Sequence, residues 1–316
     1  MIDLFIQRCF DALSNGVIYS TVALALVIVF RATGTLNLAQ GEIATVSAYI
    51  GLVLRTPVTP ALAGTGLAGA LIPGRRPLPL GLAVVGAVIA GAVLGAAVER
   101  LVLRRVGERQ GFAVVSASVG VLLVLNGLTE FVWRPVTRRF PSIFPNATTD
   151  YLPVAGARLR ATTIGTLATM IVVLIVLTFG LRMTRLGLAF RAVSSNADSS
   201  ALVGIRVGRV VTVAWALAGA IGGLAACLVA PTVLLEPAMM VRVLVYAMVA
   251  ATLGGLDSPV GALVGGIVIG VAQTMVSGYV PFIGSKLSLP GALIVMVIVL
   301  LFRPTGLFGS KRIERV

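Results

Sequence analysis

The chain has 316 residues, of which 58% are hydrophobic and 11% charged, with 36 glycines and a formal net charge of +14. So much apolar surface excludes a soluble globular domain and marks a polytopic membrane protein. With no histidine in the chain, imidazole catalysis and histidine metal sites are excluded. The basic residues sit mainly in short loops between apolar runs, which argues against nucleic acid as a partner.

Taken in order, nine apolar runs are long enough to read as spans: 15–30, 36–54, 78–98, 112–132, 162–181, 210–230, 241–253, 260–280 and 287–302. The run at 241–253 is short, and the one at 36–54 opens with polar residues, so the count lies between eight and ten. Backbone groups in lipid must be satisfied within the segment, so these runs are helices and the fold class is all-α. Asp3, Arg8 and Asp11 precede the first run. It continues into more membrane sequence, so it reads as a span rather than a cleaved signal peptide. Cys9 and Cys227 are far apart and offer neither a disulfide framework nor a CxxC site. The loop at 133–161 carries Arg134, Arg138, Arg139, Arg158 and Arg160, and its four prolines predict irregular structure.

The segment 182–209 is a polar island between spans. Arg182, Arg185 and Arg191 open it, and Arg206 and Arg209 close it. Ala197, Ala201, Leu202 and Ile205 fall at helical spacing, which predicts a short amphipathic helix. Ser195 or Asn196 would cap its start and Gly204 its end. Two readings fit: an ordinary surface loop, or a helix held outside the lipid to dock a cytoplasmic partner. If 182–209 is placed in the cytoplasm, Lys and Arg divide almost evenly between the two sides, so charge bias does not fix the orientation.

Small residues recur at close-packing spacing in Gly91/Gly95, Gly219/Gly223, Gly261/Gly265 and Gly266/Gly270. They predict a tightly packed bundle, within the chain or against a second subunit. GTLNLAQG at 34–41 echoes GGLDSPVG at 254–261, with Asn37 set against Asp257. Paired interruptions of this kind mark hinges or substrate paths in transport proteins. The stretch Asn37, Gln40, Gly41 and Glu42 is the most polar entry to any span. Such groups at membrane depth usually face a cavity or the bundle interior. The competing reading is a helix cap with Glu42 at the positive helix end. Asn126 and Gln273 fit interhelical hydrogen bonds, and Glu130 and Arg134 have the spacing of an ion pair. There is no P-loop, GxSxG, HExxH or pair of catalytic carboxylates, so no catalytic residue, metal site or cofactor is predicted.

The stretches NGVIYSTVALALVIVFRATGTLNLAQGEI (15–43), GLAFRAVSSNADSSALVGI (187–205), LGGLDSPVGALVGGIVIG (253–270) and RPTGLFG (303–309) resemble a permease subunit of the branched-chain amino-acid ABC importers. The resemblance runs in order over nearly the whole chain. It implies a type II-like importer fold over 1–316 as a single transmembrane domain in the cytoplasmic (inner) membrane. It also implies a second permease subunit, homologous or identical, two ABC ATPase subunits and an extracytoplasmic substrate-binding protein, besides membrane lipid. In that family 182–209 corresponds to the coupling helix, so Arg191, Ser195, Asn196, Asp198, Leu202 and Gly204 are its expected ATPase-coupling residues. Asn37, Gln40, Gly41, Glu42 and Asp257 are the expected translocation path. Two departures are Ser195, where the family often has an acidic residue, and Gln40, where it often has histidine.

The function expected from these features is non-enzymatic. A permease subunit would translocate branched-chain or other small amino acids, driven by ATP hydrolysed elsewhere. The same family also carries urea and short amides. A secondary transporter working alone would need an ion site, and Glu42 and Glu130 are too few and too near helix ends for one.

Overall fold

The computed structural model describes residues 2–56, 78–106, 111–147, 149–154, 156–279, 288–303 and 306–309. The Gly/Pro-rich connection at 57–77, the end of the basic loop at 107–110, Gly284–Ser285–Lys286 and the tail beyond 309 lie outside the described residues.

All nine apolar runs are helical among the described residues. They are α1 (Ile2–Thr33), α2 (Gln40–Arg55), α3 (Leu80–Val98), α4 (Gly111–Trp133), α5 (Ala161–Met183), α8 (Val207–Val233), α9 (Met239–Gly254), α10 (Pro259–Tyr279) and α11 (Ser288–Phe302). Two short helices, α6 (Arg185–Ser195) and α7 (Ala197–Leu202), stand between α5 and α8. Six helical stretches are long and apolar enough to cross a membrane: Asp3–Thr33, Leu80–Val106, Phe112–Trp133, Ala161–Met183, Val207–Val233 and Pro259–Tyr279. Helices α2, α9 and α11 have 16, 16 and 15 residues, short of the roughly 20 needed to span. Among the described residues, six helices are thus long enough to span and three are shorter, so the expected count of nine full spans is not confirmed. Hydropathy alone could not show that residues 36–39 stay outside α2.

The irregular loop expected at 133–161 contains a two-stranded antiparallel hairpin, β1 (Tyr151–Val154) with β2 (Ala157–Arg160). Tyr151 and Val154 favour extended backbone, and Gly156, at φ +80°, occupies the left-handed region in the turn.

The chain forms two compact units. The first comprises Met1–Arg31, Phe144–Gly180 and Val243–Val316. There α1 packs on α10 through polar contacts that span some 250 residues of sequence. Tyr19 Oη donates to Gln273 Oε1 at 2.9 Å, and Ser20 Oγ donates to the Leu263 carbonyl at 2.7 Å. Gln273 thus makes the interhelical bond its position predicts. Gly266 lies against Ser20 and Gly270 against Gly16, and a Cβ at either glycine would collide with the neighbouring backbone.

The second unit comprises Ala32–Ile143 and Leu181–Arg242, with α2, α3 and α8 at its core. Helices α3 and α8 run antiparallel in a regular register. Gly223 meets the Ala87 carbonyl, Gly219 meets Gly91, and Gly95 meets the Trp215 carbonyl. Each step moves four residues along each helix, so one small-residue ridge rides in the groove of the other. All four glycine pairs are accounted for by contacts within the chain. Among the described residues the ion pair expected between Glu130 and Arg134 is not formed. Arg134 instead takes φ +59° and ends α4.

Candidate functional site

The break between α1 and α2 is built from its sequence. Gly34 adopts φ +72°, which takes the chain out of α1. Asn37 Oδ1 then accepts from the Ala39 amide at 3.0 Å, an Asx turn that starts the next helix. Asn37 Nδ2 donates to Gln40 Oε1 at 3.0 Å, and Gln40 Nε2 donates to the Ala218 carbonyl of α8 at 2.8 Å. Asn37, Gln40, Gly41 and Glu42 are all buried. The N-cap position of α2 is Ala39, which has no side-chain cap bond, and Asn37 precedes it in a buried Asx turn. Its amides are satisfied within the chain.

Glu42 differs from its neighbours. It is 1% exposed, and neither carboxylate oxygen has a close hydrogen bond among the described residues. The Asn126 side chain of α4 is its hydrogen-bonding neighbour at longer reach, and the Glu130 carboxylate of α4 faces it electrostatically. A buried carboxylate without a cationic partner is costly. Seven residues further along α2, Tyr49 stacks on Trp133 with ring centroids 4.9 Å apart, and Tyr49 Oη and Trp133 Nε1 also lack a close hydrogen bond among the described residues. Asp257 lies in the first unit, exposed, in the turn between α9 and α10. Gly255 there takes φ +104°. The cap of α10 is Ser258, whose Oγ accepts from Gly261 N at 3.0 Å, so the role of Asn37 passes to the residue after Asp257.

The polar island folds as two helices at an angle. Thr184 Oγ1 caps α6 by accepting from Gly187 N at 3.0 Å. Asn196 ends α6 and starts α7, where its Oδ1 accepts from Ser199 N at 2.8 Å. Gly204, at φ +86°, follows α7 as expected of a terminating glycine. The face of Ala197, Ala201, Leu202 and Ile205 does not pack onto the chain itself. Helix α7 ends at Leu202, and its buried residue is Ser200, whose Oγ donates to the Asn196 carbonyl at 2.7 Å. Leu202 and Val203 are 89% and 76% exposed. Arg191, Ser195 and Asp198 are exposed as well. This surface presents bare apolar side chains beside charged ones. Replacing Asn196 with alanine should remove about 1 kcal/mol of local helix stability. Hydrogen exchange would show it as faster exchange of the Ser199 amide, with exchange in α8 unchanged.

Sequence reasoning missed a third cluster. Helix α3 does not stop at Val98 but widens into a π-helical turn, Glu99–Leu103, before a last turn at Arg104–Val106. Glu99 is 2% exposed. Arg104 grips it through two nitrogens: Nε donates to Oε1 at 3.0 Å, and Nη2 to Oε1 at 2.9 Å and Oε2 at 3.1 Å. Thr212 Oγ1 of α8 lies 2.7 Å from Glu99 Oε2, and Arg104 Nη2 donates to the Gly208 carbonyl at 2.7 Å. A cavity of about 140 Å³ adjoins this cluster, lined by Thr33, Thr35, Glu99, Arg104, Ala197 and Trp215 among others. The available signal was the four-residue ladder Ala83, Ala87, Gly91, Gly95, whose next step is Glu99.

The family described as "Branched-chain amino acid transport system / permease component" matches residues 9–302. The chain belongs to this family. It is a multi-pass permease of the cell membrane and of the ABC-importer class. It is similar to the high-affinity branched-chain amino acid transport system permease protein LivH of Escherichia coli K12. That relative is 23% identical, with 99% of this chain and 98% of the relative covered. BraD of Pseudomonas aeruginosa, a permease protein of the same kind, is 24% identical over 99% of this chain and 98% of its own length. A probable LivH of Methanocaldococcus jannaschii is 28% identical over 96% and 94%. Among solved structures, PsaBC from Streptococcus pneumoniae in complex with Fab covers 98% of both chains at 15% identity. Its TM-score of 0.45 leaves the two only loosely alike. The permease family places the charge-uncompensated Glu42 and the bare α6–α7 surface in a protein that moves solutes.

Proposed function

We propose that this permease translocates branched-chain or other small amino acids inward, with ATP hydrolysed by separate subunits docked on α6–α7 at the cytoplasmic face. An extracytoplasmic binding protein would deliver the solute, and a second permease subunit would complete the pathway. The observation that carries the reading is Glu42, a carboxylate 1% exposed whose hydrogen-bonding neighbour is the neutral Asn126 side chain, so that among the described residues no cation offsets its charge. An amino acid brings an ammonium group, which is the partner such a carboxylate lacks. Asn126 and Glu130 stand beside it, so the surroundings are acidic and amide-lined rather than basic. Asn37 and Gln40 then act on the pathway indirectly, by fixing where α2 begins. The family-level name of its relatives supports the solute class.

The test is uptake of radiolabelled leucine into vesicles holding the complete transporter. Glu42→Gln keeps the volume and removes the charge, and should lower uptake about tenfold or more through loss of a charge-assisted contact. Membrane insertion should stay normal. Unchanged leucine uptake in Glu42→Gln would remove the ammonium contact. Robust uptake of urea or acetamide in place of leucine would replace the solute class.

A further inference from the structure

We propose that Glu99, Arg104 and Thr212 form a clasp that carries movement of the α6–α7 segment into α3, making them positioning residues for coupled transport. This rests on the reading of α6–α7 as the ATPase-docking element. Helix α7 is followed within five residues by α8, and the first turns of α8 supply Gly208 and Thr212. Those residues are tied to Glu99 and Arg104 at the end of α3 by contacts of 2.7 Å. Ala197, the first residue of α7, lines the same cavity as Glu99 and Arg104. A displaced α7 therefore acts at once on the clasp, and the cavity gives it room to move.

The π turn makes the clasp a two-state device. Residues five apart lie roughly 140° apart around an α-helix. In a π turn the hydrogen bond closes over five residues, so Glu99 and Arg104 come to the same side. Arg104 N–H indeed bonds back to the Glu99 carbonyl. If the turn relaxes to α, the pair must part, and if the pair parts, little holds the turn wide. Beyond Gly95 there is no small residue on the ladder to lock α3 to α8, so the clasp is the fastening at that end. Coupling through a packed interface needs an element with two discrete arrangements, and this turn is one.

The test uses the permease assembled with its ATPase subunits in liposomes, with radiolabelled leucine as the probe for transport and phosphate release for hydrolysis. Glu99→Gln keeps shape and loses the charge, and Thr212→Val keeps shape and loses the hydroxyl. Each should raise the ATP hydrolysed per leucine imported by about tenfold, with the melting temperature of the complex little changed. Glu99→Asp, which keeps the charge, should recover part of the ratio. A merely structural clasp would lower hydrolysis and uptake together and leave the ratio constant, and that result overturns the proposal. Failure of both isosteric variants to assemble would make the clasp a folding element and overturn it equally. Should the complex import no leucine, the solute reading fails, and the clasp is judged by hydrolysis without solute. The variants should then raise it about tenfold over the parent, and an unchanged rate overturns the proposal. Should the ATPases still co-purify with a Leu202→Glu chain, the docking reading fails while the ratio still judges the clasp.

Discussion

Gly219→Ala is expected to lower the stability of the permease by about 3 kcal/mol or more, the upper end for overpacking a core. A single methyl at this position would run into the carbonyl of Gly91, a backbone atom that cannot rotate away. The usual expectation has the opposite sign, since replacing glycine by alanine in a helix interior gains roughly 0.5–1 kcal/mol. Helix propensity and packing therefore compete, and here packing wins by several times. Gly120 of α4 supplies the control, because nothing lies within 4 Å of a Cβ built there. Gly120→Ala should be neutral or mildly stabilising. Thermal denaturation of the purified protein, followed by loss of the monodisperse peak, measures both. Equal melting temperatures for the two variants would show that α3 and α8 do not approach as closely as described.

Leu202→Glu is expected to abolish solute uptake while leaving insertion, yield and melting temperature unchanged. Leu202 is 89% exposed, so the substitution removes little buried area, and surface changes of this kind usually stay within about 0.5 kcal/mol. The loss should appear in association. An apolar side chain that anchors a partner can contribute about 2 kcal/mol or more to binding, and a carboxylate in its place would be buried without a partner. Pull-down of the ATPase subunits and uptake should fall in parallel. Normal uptake in Leu202→Glu would mean that no partner covers this surface.

Much of this architecture was readable in advance because lipid leaves the backbone few options. Nine apolar runs became nine helices, and Asn196 and Gly204 bracketed α7 through local chemistry that needs no tertiary context. The Asn37 turn was visible for the same reason. What escaped was set by packing. The start of α2 depends on Gly34 taking the chain out of α1 and on Gln40 reaching Ala218, a contact across 178 residues. The sequence left two readings of α7 open because a helical apolar pattern looks the same whether it packs on its own chain or waits for another. The small-residue ladder points at Glu99, but nothing in sequence announces the π turn that pairs it with Arg104. Its partner stands five residues away, a spacing that an α-helix would waste. Its second partner, Thr212, is 113 residues distant.

The antiparallel seam of α3 and α8 has a mechanical consequence. Along Ala87, Gly91 and Gly95 the two helices touch backbone to backbone, with few intervening side chains that could change rotamer under load. A push applied at one end of such a seam cannot be absorbed by local rearrangement. It must emerge at the far end as rotation or sliding of the whole rod. The seam is a transmission shaft with little backlash, and its small residues trade the adaptability of a conventional core for fidelity in passing on a displacement.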